Sequence, residues 1–330
     1  LLRIHFTSQD LENIRIARSP DPLWEIVCSV CRLQSKDGSL AFGPWRRVVR
    51  TRIRSDEASR WAARMLRTLV PYATYMPDFL TPHLEGEDIN LAAGIDRVLS
   101  TPERQLRAEI TSLARAVGKP VVHPALARGD TEALRLLGNG LRTYHEAFLA
   151  PAWDRIDAAV RADFAWRSRA LATGGTRALL ETFRPMAVWR PPVLEVDYPV
   201  ERDLHLRGRG LRLIPSYFCW RRPITLIDEK MRPVLVYPAD KTVAPLSAAA
   251  TPELARLLGS TRACLLHETA ARECGTTSEL AAAVGISLPS ASQQLAVLRE
   301  AGLLTSRRDG KHVLHTVTPM GQDLLGVRCG

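Results

Sequence analysis

The chain has 330 residues, 46% of them hydrophobic and 24% charged, with a net charge of +10. That is the balance of a soluble globular protein with enough apolar residues for a sizeable core, and the length suggests two or three domains. No apolar run approaches the ~18–20 residues of a membrane span, residues 1–6 lack the pattern of a signal peptide, and six cysteines in a chain this long exclude a disulfide scaffold; a cytoplasmic protein without a membrane partner is the expectation.

The basic balance invites a nucleic-acid reading, but its distribution weakens it. From Leu246 onward 8 basic residues face 7 acidic ones, whereas the first 245 residues carry 37 and 28. Arginine outnumbers lysine 40 to 5, which fits the codon bias of a GC-rich bacterial genome.

In chain order, Leu2 to Phe6 reads as a short strand, and Thr7 or Ser8 then caps a helix reaching Ala17. A second helix is predicted from Pro22 to Leu33, with Leu23, Ile26, Val27 and Val30 at helical spacing. A third is predicted over 56–70, ahead of an irregular stretch over 71–90. Thr101-Pro102-Glu103 starts a helix ending at Gly118-Lys119-Pro120. Two more follow at about 131–149 and 152–172, and after a break at Gly174-Gly175 a short helix resumes to Phe183.

From Met186 the texture changes. Val193 to Tyr198, Leu204 to Leu206, Leu211 to Tyr217 and Val234 to Tyr237 are strand-like runs between Pro and Gly, read as one small sheet joined by the N-terminal strand. Pro238 to Ser247 reads as a linker. The expected fold class is thus α+β and mostly helical. The expected division is a mainly helical region over 1–185 for dimerisation or sensing, a strand-rich segment over 186–245 packed on it, and a C-terminal domain over 251–330.

The last eighty residues carry the most information. Thr251-Pro252-Glu253 starts a helix that stops at Gly259, and Ser260 or Thr261 starts a second. Thr276-Thr277-Ser278-Glu279 forms a capping box, so a third helix spans Thr277 to Val284, ended by Gly285. Ser287 caps a fourth helix running to about Ala301, which Gly302 closes. Helix, short glycine turn, helix is the helix-turn-helix unit. Ala291, Leu295 and Leu298 mark the buried face of the fourth helix. Its other face carries Ser290, Ser292 and Gln293, small polar side chains able to enter a major groove, where glutamine can bond adenine. Beyond Gly302, two alternating runs flank Asp309-Gly310, a hairpin signal. That hairpin makes a wing, with Arg308 and Lys311 expected opposite each other and Arg307 and His312 beside them, cations suited to phosphates. Ser287, Ser290, Ser292, Gln293, Gln294, Arg307, Arg308, Lys311 and His312 are therefore the candidate DNA-contacting residues.

The runs Thr276 to Ala281, Gly285-Ile286-Ser287, Ser290 to Leu295, Val297 to Leu303 and Arg307 to Lys311 resemble the ArsR-type winged-helix regulators, over about a quarter of the chain. The resemblance implies a fourth helix that reads DNA, a wing on the backbone, and a homodimer, commonly a repressor, on a palindromic double-stranded operator. Gln294 departs from the histidine common there. Upstream, Trp189 to Val196 and Gly208 to Leu211 resemble an uncharacterised domain that precedes this module in some bacterial regulators. The alternative reading is a protein-interaction module whose winged helix docks a partner.

Other chemistry is weakly signalled. Cys28 and Cys31 form a C-x-x-C pair without a second pair and read as buried small residues. Cys264, His267 and Cys274 could supply soft ligands, but the spacing of metal-sensing relatives is absent, and no metal or cofactor is expected. His312 and His315 read as surface or DNA-proximal. No nucleophile elbow, zinc-protease or phosphate-loop motif occurs, so the chain reads as a non-enzyme. Trp189, Tyr217, Phe218, Trp220 and Tyr237 read first as core, and as a candidate pocket for a small apolar effector.

Overall fold

The computed structural model describes residues 1–35, 37, 39–72, 75–82, 90–118, 120, 123–226, 233–239, 252–272, 274–284, 286–309 and 312–325. The fold is α+β and mostly helical. The chain divides into two compact units, one formed by Leu1–Asp37 and Arg47–Ala244 and the other by Gly38–Arg46 and Pro245–Gly330.

The first unit opens with β1 (Leu2–His5) and α1 (Ser8–Glu12). Thr7 caps α1: its Oγ1 accepts from Asp10 N at 3.2 Å, while Asp10 Oδ2 accepts from Thr7 N at 2.8 Å. The helix ends five residues short of the predicted Ala17. The residues that would have continued it form β2 (Arg15–Ile16), where Arg15 N donates to Leu211 O and Ala17 N to Leu213 O. A tertiary ladder outcompetes the local helix, and nothing near residue 15 announces a partner almost two hundred residues away. Gly210, at φ +69°, permits this approach, since a Cβ there would lie 2.2 Å from Asn13 O.

The helices α2 (Pro22–Gln34), α3 (Ser39–Ser55), α4 (Glu57–Leu69), α5 (Leu91–Leu99), α6 (Glu103–Val117), α7 (Pro124–Ala127) and α8 (Thr131–Tyr144) follow, with residues 39–46 of α3 counted in the second unit. Of these, α3, α5 and the single turn α7 were not expected. Gly118 ends α6 in the left-handed conformation, as its sequence position predicts. α8 runs through a π-helical turn (His145–Leu149) and a 3-10 turn (Ala150–Ala152) into α9 (Trp153–Glu181), which breaks at Gly175 with φ 66° and ψ −166°.

Five more strands, β3 (Ala187–Arg190), β4 (Val193–Val196), β5 (Arg202–His205), β6 (Arg212–Ser216) and β7 (Val234–Pro238), build two sheets rather than one. The first has the order β3-β4-β1-β5, with β1 antiparallel to β4 and parallel to β5. The second, β2-β6-β7, is parallel throughout. Leu2, Ile4, Leu194 and Val196 of the first sheet, Leu213 and Leu235 of the second, and Leu179, Leu180 and Phe183 at the end of α9 share one core. The linker reading begins too early, because Pro238 still belongs to β7 and Ala239 N donates to Ser216 O; residues 240–247 lie outside the described residues.

Two buried carboxylates organise this unit. Asp163 on α9 pairs with Arg167 Nε at 3.0 Å and accepts from the Tyr237 hydroxyl at 2.7 Å. Glu25 on α2 accepts from Tyr217 N at 2.7 Å and from Ser216 Oγ and Phe218 N at 3.0 Å, fixing the turn after β6.

The second unit holds α10 (Pro252–Leu258), α11 (Ser260–Ala271), β8 (Gly275–Thr276), α12 (Thr277–Val284), α13 (Leu288–Glu300), β9 (Leu304–Asp309), β10 (His312–Val317) and α14 (Pro319–Leu324). Its sheet has the order β8-β10-β9. Among the described residues no helix is long and apolar enough to cross a membrane.

Candidate nucleic-acid interface

The site is built on two capped helices. Thr276 and Glu279 make the reciprocal box that starts α12: Thr276 N donates to Glu279 Oε2 at 2.9 Å, and Glu279 N to Thr276 Oγ1 at 3.2 Å. Ser287 caps α13 by accepting from Ser290 N at 3.4 Å, and Pro289 in the first turn gives up a backbone donor that would have no helical partner. Ile286 N donates to Ala281 O at 3.0 Å and closes the intervening turn. Gly285 lies outside the described residues.

Ala291, Leu295 and Leu298 are buried, and the two leucines pack with Leu265, Leu266 and Leu280. The burial fixes the rotation of α13. Ser287, Ser292 and Gln293 are consequently exposed, while Ser290 and Gln294 are half-buried. The outward face is not wholly polar, since Leu288 is 51% and Val297 37% exposed. Arg299, in the last turn, is exposed.

The wing differs from its predicted register. Asp309 pairs with His312, Arg308 with Val313 and Arg307 with Leu314. Arg308 is therefore not the partner expected for Lys311; the last pair before the tip is Asp309 with His312, one position beyond the expected register, and residues 310 and 311 lie outside the described residues. A loop with glycine at its first position is the other common two-residue hairpin solution, so the Asp-Gly pair signals the hairpin without fixing its register. Arg307 and Arg308 are both exposed and, as strand neighbours, point to opposite faces of the hairpin. Lys311 lies outside the described residues.

His315 is the clearest correction in this unit. It is buried, not a surface residue: Nδ1 lies 2.8 Å from Ser306 Oγ and Nε2 2.9 Å from Thr277 Oγ1. The imidazole thus ties both wing strands to the first residue of α12, and its burial, with Arg299 nearby, holds its pKa below the usual histidine value. The signal available in the sequence was its position two residues after Val313 in an alternating strand, on the face that meets α12.

Residues 257–307 match a family model described as a helix-turn-helix domain. The matched model is a helix-turn-helix of the ArsR type, and the match runs from the end of α10 into β9. Residues 130–243 match a second model, described as a family of unknown function (DUF5937), which spans α8 to β7. No curated protein and no solved structure matches the chain.

Around the helix-turn-helix, Cys264 and Cys274 are exposed and His267 is half-buried, its pKa lowered by that burial. Among the described residues no group of three or more His, Cys, Asp or Glu is arranged to hold a metal ion.

In the first unit the five aromatic residues of the candidate effector pocket do not converge. Tyr237 is fully buried, edge-on to Phe183 and bonded to Asp163. Trp189 packs edge-on against Phe6, and Tyr217 against its neighbour Phe218. Of the five, Phe218 and Trp220 line a cavity of about 780 Å³, whose other walls come from α2, from residues 37, 71, 72, 75, 76, 78 and 197–199, and from the rest of the segment 219–225. Trp189 lies on β3 of one sheet and Tyr237 on β7 of the other, while Tyr217, Phe218 and Trp220 follow β6 in a turn, so sharing a region of sequence does not bring the five together.

Proposed function

We propose that this chain is a sequence-specific, DNA-binding transcriptional regulator. The observation that carries the reading is α13, a capped helix whose leucine stripe is buried and whose Ser287, Ser292 and Gln293 side chains are left exposed, inside a segment matching a helix-turn-helix domain. In this reading α13 enters the major groove, Gln293 bonds a base edge, and Ser287 and Ser290 sit near phosphates at the helix N-terminus. Arg307, Arg308, Lys311 and His312 contact the backbone or reach the minor groove. The protein acts in the cytoplasm as a homodimeric repressor without enzymatic activity, on half-sites about one helical turn apart.

Selection of bound sequences from a random DNA pool by the purified chain tests this directly, because it returns both an operator and its symmetry. Gln293→Ala should change the selected base at one position of each half-site. Arg308→Ala should weaken binding to all sequences and lower the slope of log K against log salt by about 1. Failure of the pool to converge, with only salt-sensitive binding to every sequence, overturns the reading. It would favour a docking role in which Leu288 and Val297 on the same face meet a protein partner.

A further inference from the structure

The cavity beside Trp220 has the dimensions of a small-molecule site. Its volume of about 780 Å³ falls within the roughly 300–1,000 Å³ of ligand pockets and is far too large for an ion or a water. All its lining residues belong to the first unit.

Its wall is apolar in depth and amphipathic at the rim. Val27, Cys28 and Cys31 of α2, with Phe218 and Cys219, form the interior. The thiols act there as apolar surface: burial pushes Cys31 up to about 11, and the hydrogen bond with the Cys219 thiol, together with burial, holds Cys28 well above the usual thiol value. The rim carries Tyr72, Tyr75, Tyr198 and Trp220, side chains that offer a flat apolar face and one polar atom. Such a lining suits a planar aromatic skeleton.

The charges decide what that skeleton carries. All three carboxylates at the cavity are engaged by the protein itself. Asp37 accepts from the Tyr72 hydroxyl at 2.8 Å and lies 3.9 Å from Arg32 Nη1. Asp197 pairs with Arg222 Nε at 3.2 Å. Asp78 is buried at the start of a 3-10 turn and also has a partner. Arg221, by contrast, is exposed, lines the cavity, and has no hydrogen bond or ion pair among the described residues. Its backbone sits at φ +62°, a conformation that costs a non-glycine residue free energy and that glycine would adopt freely.

We propose that this cavity binds a small planar aromatic acid, with its ring among Tyr75, Tyr198, Phe218 and Trp220 and its carboxylate on the Arg221 guanidinium. Binding of this kind does not depend on what the second unit does, so the test uses the purified full-length chain without DNA. Calorimetric titration with 2-naphthoate, the neutral 2-naphthylmethanol and the cationic 2-naphthylmethylamine separates ring from charge. Naphthoate should bind at least tenfold more tightly than the alcohol, and the amine should be weakest. Arg221→Gln and Arg221→Gly should both remove the preference for naphthoate over the alcohol; the glycine variant also relieves the backbone, so equal loss in the two assigns the effect to the guanidinium. Met76→Trp, a bulkier half-buried wall residue, should abolish binding of all three probes while circular dichroism stays unchanged. Equal binding of acid and amine, an acid preference that survives in both Arg221 variants, or naphthoate binding unaffected by Met76→Trp would each overturn the proposal, as would no binding of naphthoate at all.

Discussion

Glu25 offers the sharpest test of how the first unit is held together. Its carboxylate is fully buried on the first turn of α2 and accepts three hydrogen bonds, from Tyr217 N, Phe218 N and Ser216 Oγ. Ser216 Oγ in turn accepts from Cys219 N at 3.1 Å. Glu25→Gln keeps the shape but turns one acceptor oxygen into an amide donor. Placed best, that NH2 faces the Tyr217 amide, so one bond to the carboxylate becomes a donor–donor clash and the other two weaken. A hydrogen bond to a charged group contributes about 1.5–3 kcal/mol, so the substitution should cost about 3 kcal/mol. Glu25→Ala leaves two buried amides and a hydroxyl without this partner and should cost roughly 5 kcal/mol, a large fraction of a typical domain's 5–15 kcal/mol. The assay is urea unfolding followed by tryptophan fluorescence, which reports mainly on the first unit because every tryptophan except Trp45 lies there. The midpoint should fall with the slope unchanged. A loss below about 1 kcal/mol for Glu25→Gln would refute the claim that this carboxylate fixes the turn behind Phe218 and Trp220.

Two further predictions concern buried charge. Asp21, the cap of α2, is pushed up to about 6 by burial, against the pull of the Leu23 and Trp24 amides and Arg212. The folded state therefore holds a proton that the unfolded chain releases near 3.9, so stability falls as pH rises from about 4 to 6 and stays lower by about 3 kcal/mol above it. Asp21→Asn, which still caps, should flatten that segment of the urea-midpoint profile; parallel profiles for the two proteins would contradict it. Arg167 pairs with Asp163 and lies 4.0 Å from the Phe183 ring centroid and 4.6 Å from that of Tyr237. Arg167→Leu alone should cost roughly 3–5 kcal/mol, because it strands a buried carboxylate, whereas adding Asp163→Leu should recover part of the loss. Simple additivity of the two single losses in a double-mutant cycle would show that the pair is not coupled.

How much of this was legible depends on where each determinant lies in the chain. The ends of α12 and α13 could be read because Thr276, Glu279 and Ser287 bond their own backbone within three residues. The same local logic found the cap at Thr7 and the stop at Gly118. It failed where a distant strand decides the outcome: Arg15 and Ile16 are helix-compatible residues recruited by β6, and the split into two sheets rests on parallel pairings that no turn signals. The missed α3 did carry a signal, since Phe42, Trp45, Arg46 and Val49 are buried at helical spacing, but an arginine in the buried stripe and Gly43-Pro44 in the second turn obscure it. The candidate DNA face was legible as an arrangement of residue types. The wing register was not, because both two-residue loops satisfy the same strand alternation.

The charge distribution determines which measurement can identify the DNA contacts. Nearly all of the excess positive charge lies in the first 245 residues, including Arg50, Arg52 and Arg54, exposed on α3. A polyanion would be drawn to such a surface whether or not α13 reads a base, so affinity for DNA at low salt, and its steep loss on adding salt, would be shared by the regulator and by any basic protein. Absolute affinity is therefore the weakest discriminant for this chain. The informative quantities are differences measured at one salt concentration: a change of preferred base on Gln293→Ala, and a unit change in salt slope on Arg308→Ala against an unchanged slope on Arg54→Ala. If the three variants altered binding alike, the exposed arginines would be acting as a diffuse surface and the polar face of α13 would have no part in recognition.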